Sequence, residues 1–172
     1  HFGLTGPAPL DVSRAVSGHA KPGNLTLEVD LLPTLPEPAF DVFLRTESLA
    51  SGKKQLAVVL SEKLPRRVCD QLLILCGQSI DRRAGELNKT VRANLVAHVK
   101  RLAIPISGTL GFEKAEVTAG GVSLNEVDSR TMRSKLAPNL FFAGEVLDLD
   151  GWIGGYNFQS AWSTGWLAGS NL

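Results

Sequence analysis

The sequence predicts an α+β chain, and three observations carry that expectation. Apolar and polar residues alternate from Leu25 to Leu31, the period-two signature of a half-buried strand. From Pro38 to Leu102 the apolar residues recur three and four apart instead, as on helices that pack through one face. After Pro105 short apolar runs return, separated by Gly and Pro. The chain has 172 residues, 44% hydrophobic and 20% charged, enough for one core or two small ones.

In order along the chain, His1 to Gly23 is punctuated by Gly and Pro and carries no clear period. In the first strand Leu25, Leu27, Val29 and Leu31 alternate with Thr26, Glu28 and Asp30, and Pro33 and Pro36 end it. Phe40, Phe43, Leu44 and Leu49 give a helix to about Ala50, closed by Ser51-Gly52. The apolar patch Leu56 to Leu60 leads to Pro65, which suits the first turn of a second helix. There Leu64, Val68, Leu72 and Cys76 lie four apart and Gly77 supplies the stop. A third helix spans about Glu86 to Leu102, with Leu87, Val91, Leu95 and Val99 as its apolar stripe. Short strands follow at Ile104 to Leu110, Ala115 to Thr118, Gly121 to Leu124 and Leu140 to Ala143. Asp148 to Gly151 then turns, Gly154-Gly155 makes a second glycine pair after Gly120-Gly121, and a last helix starts near Tyr156 or Asn157. On it Ala161, Gly165 and Gly169 form a small-residue stripe that permits close approach to another backbone.

Composition excludes several classes. With 18 Lys+Arg against 17 Asp+Glu the formal charge is +1, and no basic run is interleaved with aromatics, so no nucleic acid is expected as a partner. No apolar stretch approaches the roughly 20 residues of a membrane span. Cys69 and Cys76 fall two helical turns apart on one face, too far for a disulfide, and read as small core residues of a reducing, cytoplasmic compartment, with a catalytic thiol as the minor alternative. The chain opens on His1 without a leader, which reads as a piece of a longer chain.

The strongest chemical feature is the C-terminal strand, glycine-rich loop and helix. Amide groups at a helix N-terminus are unpaired and carry the positive end of the dipole, so they stabilise an anion or an electron-rich carbonyl that can come close. Gly154 and Gly155 allow that approach, although a turn packed on a sheet would use the same residues. His98 sits beside the apolar stripe of the third helix and reads as structural, and Asp148 and Asp150 read as turn formers. Trp162 and Trp166 read as packing residues. No Ser/His/Asp arrangement and no metal-ligand spacing emerges, so no catalytic residue and no metal is assigned.

The stretch NLFFAGEVLDLDGWIGGYNFQSAWSTGWLAG, Asn139 to Gly169, resembles the C-terminal signature of the BaiN/YhiN-type flavoproteins, a family of NAD(P)/FAD-dependent oxidoreductases. Val117-Thr-Ala-Gly-Gly-Val122 with Glu126-Val-Asp and Thr131-Met-Arg-Ser-Lys135 is similar to that family's VTxGGV…E…TMxSK block, and His1-Phe-Gly-Leu-Thr-Gly-Pro7 to its HxGLSGP segment. The resemblance implies an FAD protein in which Gly144 and Glu145 lie along the ribityl and pyrophosphate portion. It further implies that the backbone at Gly154, Gly155, Tyr156 and Asn157 faces the pyrimidine edge of the flavin. Reduced flavin carries negative charge at that edge, which a preorganised helix N-terminus favours. Gly120 and Gly121 lie against the ring in this reading, or make a plain hairpin turn. His1 belongs to a family-like motif and faces the active site in this reading, or is frayed.

One part of the family pattern is missing. These proteins carry a strand, G-x-G-x-x-G and helix for the adenosine half, and nothing in the 172 residues fits it. The expected architecture is a β-barrel-like insertion domain (residues 1–36 and 103–125) holding a helical subdomain (37–102), followed by the C-terminal strand and helix of a Rossmann-like FAD-binding domain (126–172). The expected function is part of an FAD-dependent oxidoreductase that passes hydride from NAD(P)H through FAD to a small organic acceptor, the segment alone being inactive. The alternative is a non-catalytic substrate-binding or lid module. The expected partners are a small-molecule substrate and the N-terminal FAD-binding portion of the same protein, or a second copy of the chain.

Overall fold

The computed structural model describes residues 3–172, which divide into two compact units, Gly23–Ile106 and the remainder of the chain. His1 and Phe2, and with them the expectation for His1, lie outside the described residues.

The unit Gly23–Ile106 is a helical bundle on a small ladder. Strand β1 (Thr26–Val29) pairs antiparallel with β2 (Leu102–Pro105), Thr26 opposite Pro105 and Val29 opposite Leu102. Side chains in β1 alternate between exposed and half-buried, as the period-two pattern requires. Helix α2 (Glu37–Ala50) starts after Pro36, with Glu37 complementing the positive end of its dipole. The apolar patch after it is the five-residue helix α3 (Leu56–Leu60), four of whose residues are buried. Helix α4 (Arg66–Leu75) stops at Gly77, which takes φ +68° while its amide reaches the Ile74 carbonyl. Helix α5 (Lys89–Lys100) is capped by the Asn88 carboxamide, which accepts from the Val91 amide at 2.9 Å. Phe40 and Leu44 of α2, Leu72 and Leu73 of α4 and Leu95 and Val99 of α5 are essentially inaccessible and form one core. Cys69 and Cys76 sit in that core as free thiols, and burial pushes both up from the ordinary thiol range.

The buried Lys100 ammonium ties the ladder to the bundle. It pairs with Asp30 at 2.7 Å and donates to the Leu32 and Leu35 carbonyls, each at 2.7 Å, so its charge is fully satisfied.

The other unit is built from turns. It contains α1 (Pro7–Ser17), α6 (Tyr156–Gly169) and short 3-10 turns, but no strand pair among the described residues. Its small core joins Val127, Met132, Leu147 and Ala168. The expected β-barrel is therefore corrected. Of the strands predicted in residues 1–36 and 103–125, only the β1–β2 pair forms, an open two-stranded ladder. Ala115–Thr118, Gly121–Leu124 and Leu140–Ala143 make no strand: the first has no bridge among the described residues, and Val122 and Phe141 each make a single bridge instead of a run. Among the described residues no helix is long and apolar enough to cross a membrane.

Candidate functional site

The glycine-rich segments that sequence singles out both lie in the second unit. Gly121 and Val122 lie alongside Val146 to Asp148, with the Val122 amide on the Val146 carbonyl at 2.8 Å and the Asp148 amide on the Val122 carbonyl at 2.9 Å. The fit is backbone against backbone. A Cβ on Gly121, which has φ +143°, would press into the Val146 carbonyl oxygen and lie 2.9 Å from the Leu147 carbonyl carbon. Gly121 is thus required by packing, while Gly120 (φ +95°) has open space where a Cβ would stand.

The block Glu126 to Ala143 is a three-stretch meander held by single rungs. Asp128 N donates to Arg133 O and Lys135 N to Glu126 O, both at 2.8 Å, on one side of the Thr131–Lys135 stretch. On its other side Ser134 N donates to Leu140 O and Phe142 N to Met132 O. Met132 adopts φ +61°, unusual for a bulky residue, and is buried beside Leu147. Next to this cluster opens an apolar hollow of about 280 Å³ whose lining includes Val127, Met132, Leu147, Thr164 and Leu167.

Gly144, with φ +74°, donates its amide to the Thr164 hydroxyl at 2.9 Å and so binds the end of the apolar run to the middle of α6. Glu145, next to it, is exposed and its side chain accepts no hydrogen bond among the described residues. The chain then runs through Asp148 and Asp150 back to the start of α6. Two clasps hold that return. The Asn157 carboxamide accepts from Gly151 N at 2.7 Å and donates to Gly151 O at 3.1 Å. From α1, Asp11 accepts from Ile153 N at 2.8 Å, while Arg14 pairs with Asp150 and lies 3.8 Å from Asp148.

These clasps present Gly154 and Gly155. Gly155 is the N-cap of α6 in the left-handed region, with φ +93°, no side-chain cap and nothing within 4 Å of a built Cβ. Gly155 thus holds a geometry only glycine adopts cheaply, and the first-turn amides of Tyr156 and Asn157 donate no hydrogen bond among the described residues.

Of the eight predicted residues, Gly121 is placed against Val146–Asp148, Gly144 against α6, and Gly154, Gly155, Tyr156 and Asn157 around the helix start, with Gly120 and Glu145 exposed. Sequence reasoning missed Asp11, Arg14 and Thr164, and it gave no role to the Asn157 side chain, which clasps Gly151. Asp148 and Asp150, read as turn formers, face a cation. Trp162 and Trp166, read as packing residues, are exposed at 79% and 73%.

The HI0933-like protein Rossmann domain family matches residues 36–171. A ribosomal RNA dihydrouridine synthase from Escherichia coli (strain K12) is 38% identical across all of this chain, which covers 41% of that protein. The protein of the same name from Haemophilus influenzae is 36% identical over the same shares. A 3-dehydro-bile acid delta(4,6)-reductase from Clostridium scindens is 32% identical over 98% of the chain and 41% of its own length. The chain thus spans about two fifths of the length of the curated relatives it matches. It belongs to the HI0933-like Rossmann domain family, in agreement with the resemblance carried by the three motifs.

Proposed function

We propose that this member of the family forms the flavin-facing part of an FAD-dependent oxidoreductase that reduces a carbon–carbon double bond conjugated to a carbonyl. The observation that carries the reading is the start of α6, where left-handed Gly155 is followed by first-turn amides without a partner among the described residues and two clasps hold the preceding loop. When bound, FAD would carry hydride from NAD(P)H to the acceptor. The residues here do the rest. The amides of Tyr156 and Asn157 stabilise negative charge at the pyrimidine edge, and the backbone around Gly144 runs along the ribityl chain. Gly120, exposed and in a positive-φ turn, lets the backbone approach the ring. The adenosine half is supplied by the N-terminal portion of the same protein or by a second copy of the chain.

The acceptor class follows from the relatives' names. Dihydrouridine differs from uridine by two hydrogens across a double bond beside a carbonyl, and a 3-oxo steroid unsaturated at position 4 presents the same motif. Both identities to the RNA-named relatives exceed that to the bile-acid reductase, so we take uracil in ribosomal RNA as the acceptor. This choice departs from the expectation, drawn from the net charge and the lack of a basic run interleaved with aromatics, that no nucleic acid is a partner.

The test is a visible spectrum of the intact protein with and without added FAD, followed by anaerobic reduction with NADH or NADPH and assay of ribosomal RNA for a gain of two hydrogens on uridine. Bound flavin and the reduced base support the reading, and a folded protein without flavin in either sample hands the lead to the binding-module alternative. Gly155→Val tests the placement itself. The side chain is expected to strain the N-cap and fill the approach, reducing flavin content at least tenfold, and an unchanged content would sink the assignment.

A further inference from the structure

A formal charge of +1 conceals a segregation between the two units. Gly23–Ile106 carries 12 Lys+Arg against 9 Asp+Glu, a surplus of three, whereas the remainder carries 6 against 8, a deficit of two. The surplus is local. Residues 51–86, the α3–α4 region, hold 7 cations and 4 carboxylates, and the rest of that unit is balanced at 5 against 5. Ion pairing sharpens the contrast. Lys100, Arg92 and Arg101 of the balanced part pair with Asp30, Asp41 and Glu37. In residues 51–86 only Arg66 pairs, with Asp70 at 2.8 Å, and Lys53, Lys54, Arg67, Arg82 and Arg83 are in no ion pair among the described residues.

The backbone gathers these cations. Gln55 bridges antiparallel to Arg83, Leu56 N donates to Arg82 O at 2.7 Å, and Ala84 N donates to Lys54 O at 2.9 Å. Gly85 N reaches Gly52 O at 3.0 Å, so two strips of chain run side by side with Lys53-Lys54 on one and Arg82-Arg83 on the other. Arg66 of α4 reaches the Gln55 carboxamide oxygen at 3.3 Å, which brings the Arg66-Arg67 pair against the same strips. Two arginines and no carboxylate occupy the first turn of α4, where the helix dipole disfavours cations. Asp81 and Glu86 lie on the same strips, yet cations outnumber carboxylates seven to four across residues 51–86, a surplus that suits an anionic partner.

We propose that this face, formed by the exposed Lys53, Lys54, Arg66, Arg67 and Arg83, contacts the phosphate backbone of the RNA that carries the acceptor base. The inference rests on the reading of an RNA substrate given above and adds where the chain meets it. Exposed cations spaced along paired strips suit a polyanion better than a single small anion, and their contribution is independent of sequence.

The experiment uses the intact protein, its Lys53→Gln/Lys54→Gln/Arg83→Gln variant and the corresponding Glu variant, with deproteinised ribosomal RNA as the probe. Binding is measured from low to moderate salt, and NAD(P)H-dependent reduction of a small cyclic enone is measured in parallel. For the Gln variant the salt slope is expected to fall by about 0.7 to 0.9 for each phosphate that is no longer neutralised, with affinity down at least tenfold and enone reduction unchanged. The Glu variant is expected to bind still more weakly. RNA affinity and salt slope equal to wild type in both variants would overturn the proposal while leaving the RNA substrate standing. Failure of the wild-type protein to bind ribosomal RNA, with enone reduction intact, would overturn both this face and the RNA acceptor, and would return the steroid-like acceptor to the lead.

Discussion

In the unit Gly23–Ile106, sixteen buried side chains form one cluster, fed by four helices whose apolar stripes converge. In the other unit only Val127, Met132, Leu147 and Ala168 are buried among the described residues, while Trp152, Phe158, Trp162 and Trp166 are each more than 70% exposed. The first unit is held by area removed from water. The second is held by directional contacts: single bridges, an amide on a hydroxyl, a carboxamide clasp and an Arg–Asp pair. The difference suits their proposed roles, since a backbone that must present amides to a ligand cannot also bury them, whereas a cationic face needs only a rigid support behind it.

Core truncation gives the largest expected contrast. Leu72→Ala removes a side chain that is 1% exposed in the middle of the helical cluster and is expected to destabilise that unit by about 2–5 kcal/mol. Leu147→Ala, equally buried but beside the apolar hollow, is expected at the low end of that range, because its surroundings are already incompletely packed. Hydrogen exchange resolved by segment checks both, and equal losses of protection in the two units would break the comparison.

An effect smaller than that of Leu72→Ala is expected from Gly121→Ala. The added methyl group meets backbone, which cannot rotate away, and φ +143° is itself strained for alanine. Together these are expected to cost about 2–4 kcal/mol, confined to the unit that holds the Val122–Leu147 bridge. Exchange at the Val122 and Asp148 amides is the direct readout, and wild-type protection there would remove the packing role assigned to this glycine.

The same contrast decides what can be read from sequence. Phe40, Leu44, Leu72 and Leu95 declare their burial by spacing alone, because a helix repeats its environment every three or four residues. Helix α1 does not declare itself, since Pro7 and Pro9 read as breakers although both fall in its first turn, where proline is tolerated. The expected barrel fails because the short apolar runs after Pro105 share the composition of strands, while single rungs between stretches far apart in sequence leave no period to detect. In the candidate site the glycines are legible as pairs, and Gly120, Gly121, Gly154 and Gly155 all take positive φ. Their anchors are not legible. Asp11 is 142 residues from Ile153 and Thr164 is 20 from Gly144, and no local pattern links such pairs.

The smallest expected effect is a pH dependence belonging to the helical unit. Asp30 and Glu37 are both held below the usual carboxylate range, Asp30 by the Lys100 ammonium and Glu37 by the Arg101 guanidinium. A carboxylate whose folded pKa lies below its unfolded value binds fewer protons when folded, so its stabilising contribution is complete above the unfolded value. Unfolded Asp and Glu titrate near about 3.9 and 4.3, so the contribution is expected to be constant above about pH 5 and to fade as pH falls through the lowered folded values. Both carboxylates are solvent-facing, which keeps the effect modest and sensitive to salt. Urea midpoints of the intact protein and of Asp30→Asn/Glu37→Gln at pH 7, 5 and 3.5 test this. The variant is expected to lose less stability than wild type between pH 5 and 3.5, and parallel losses would mean that the acid sensitivity of the bundle arises elsewhere.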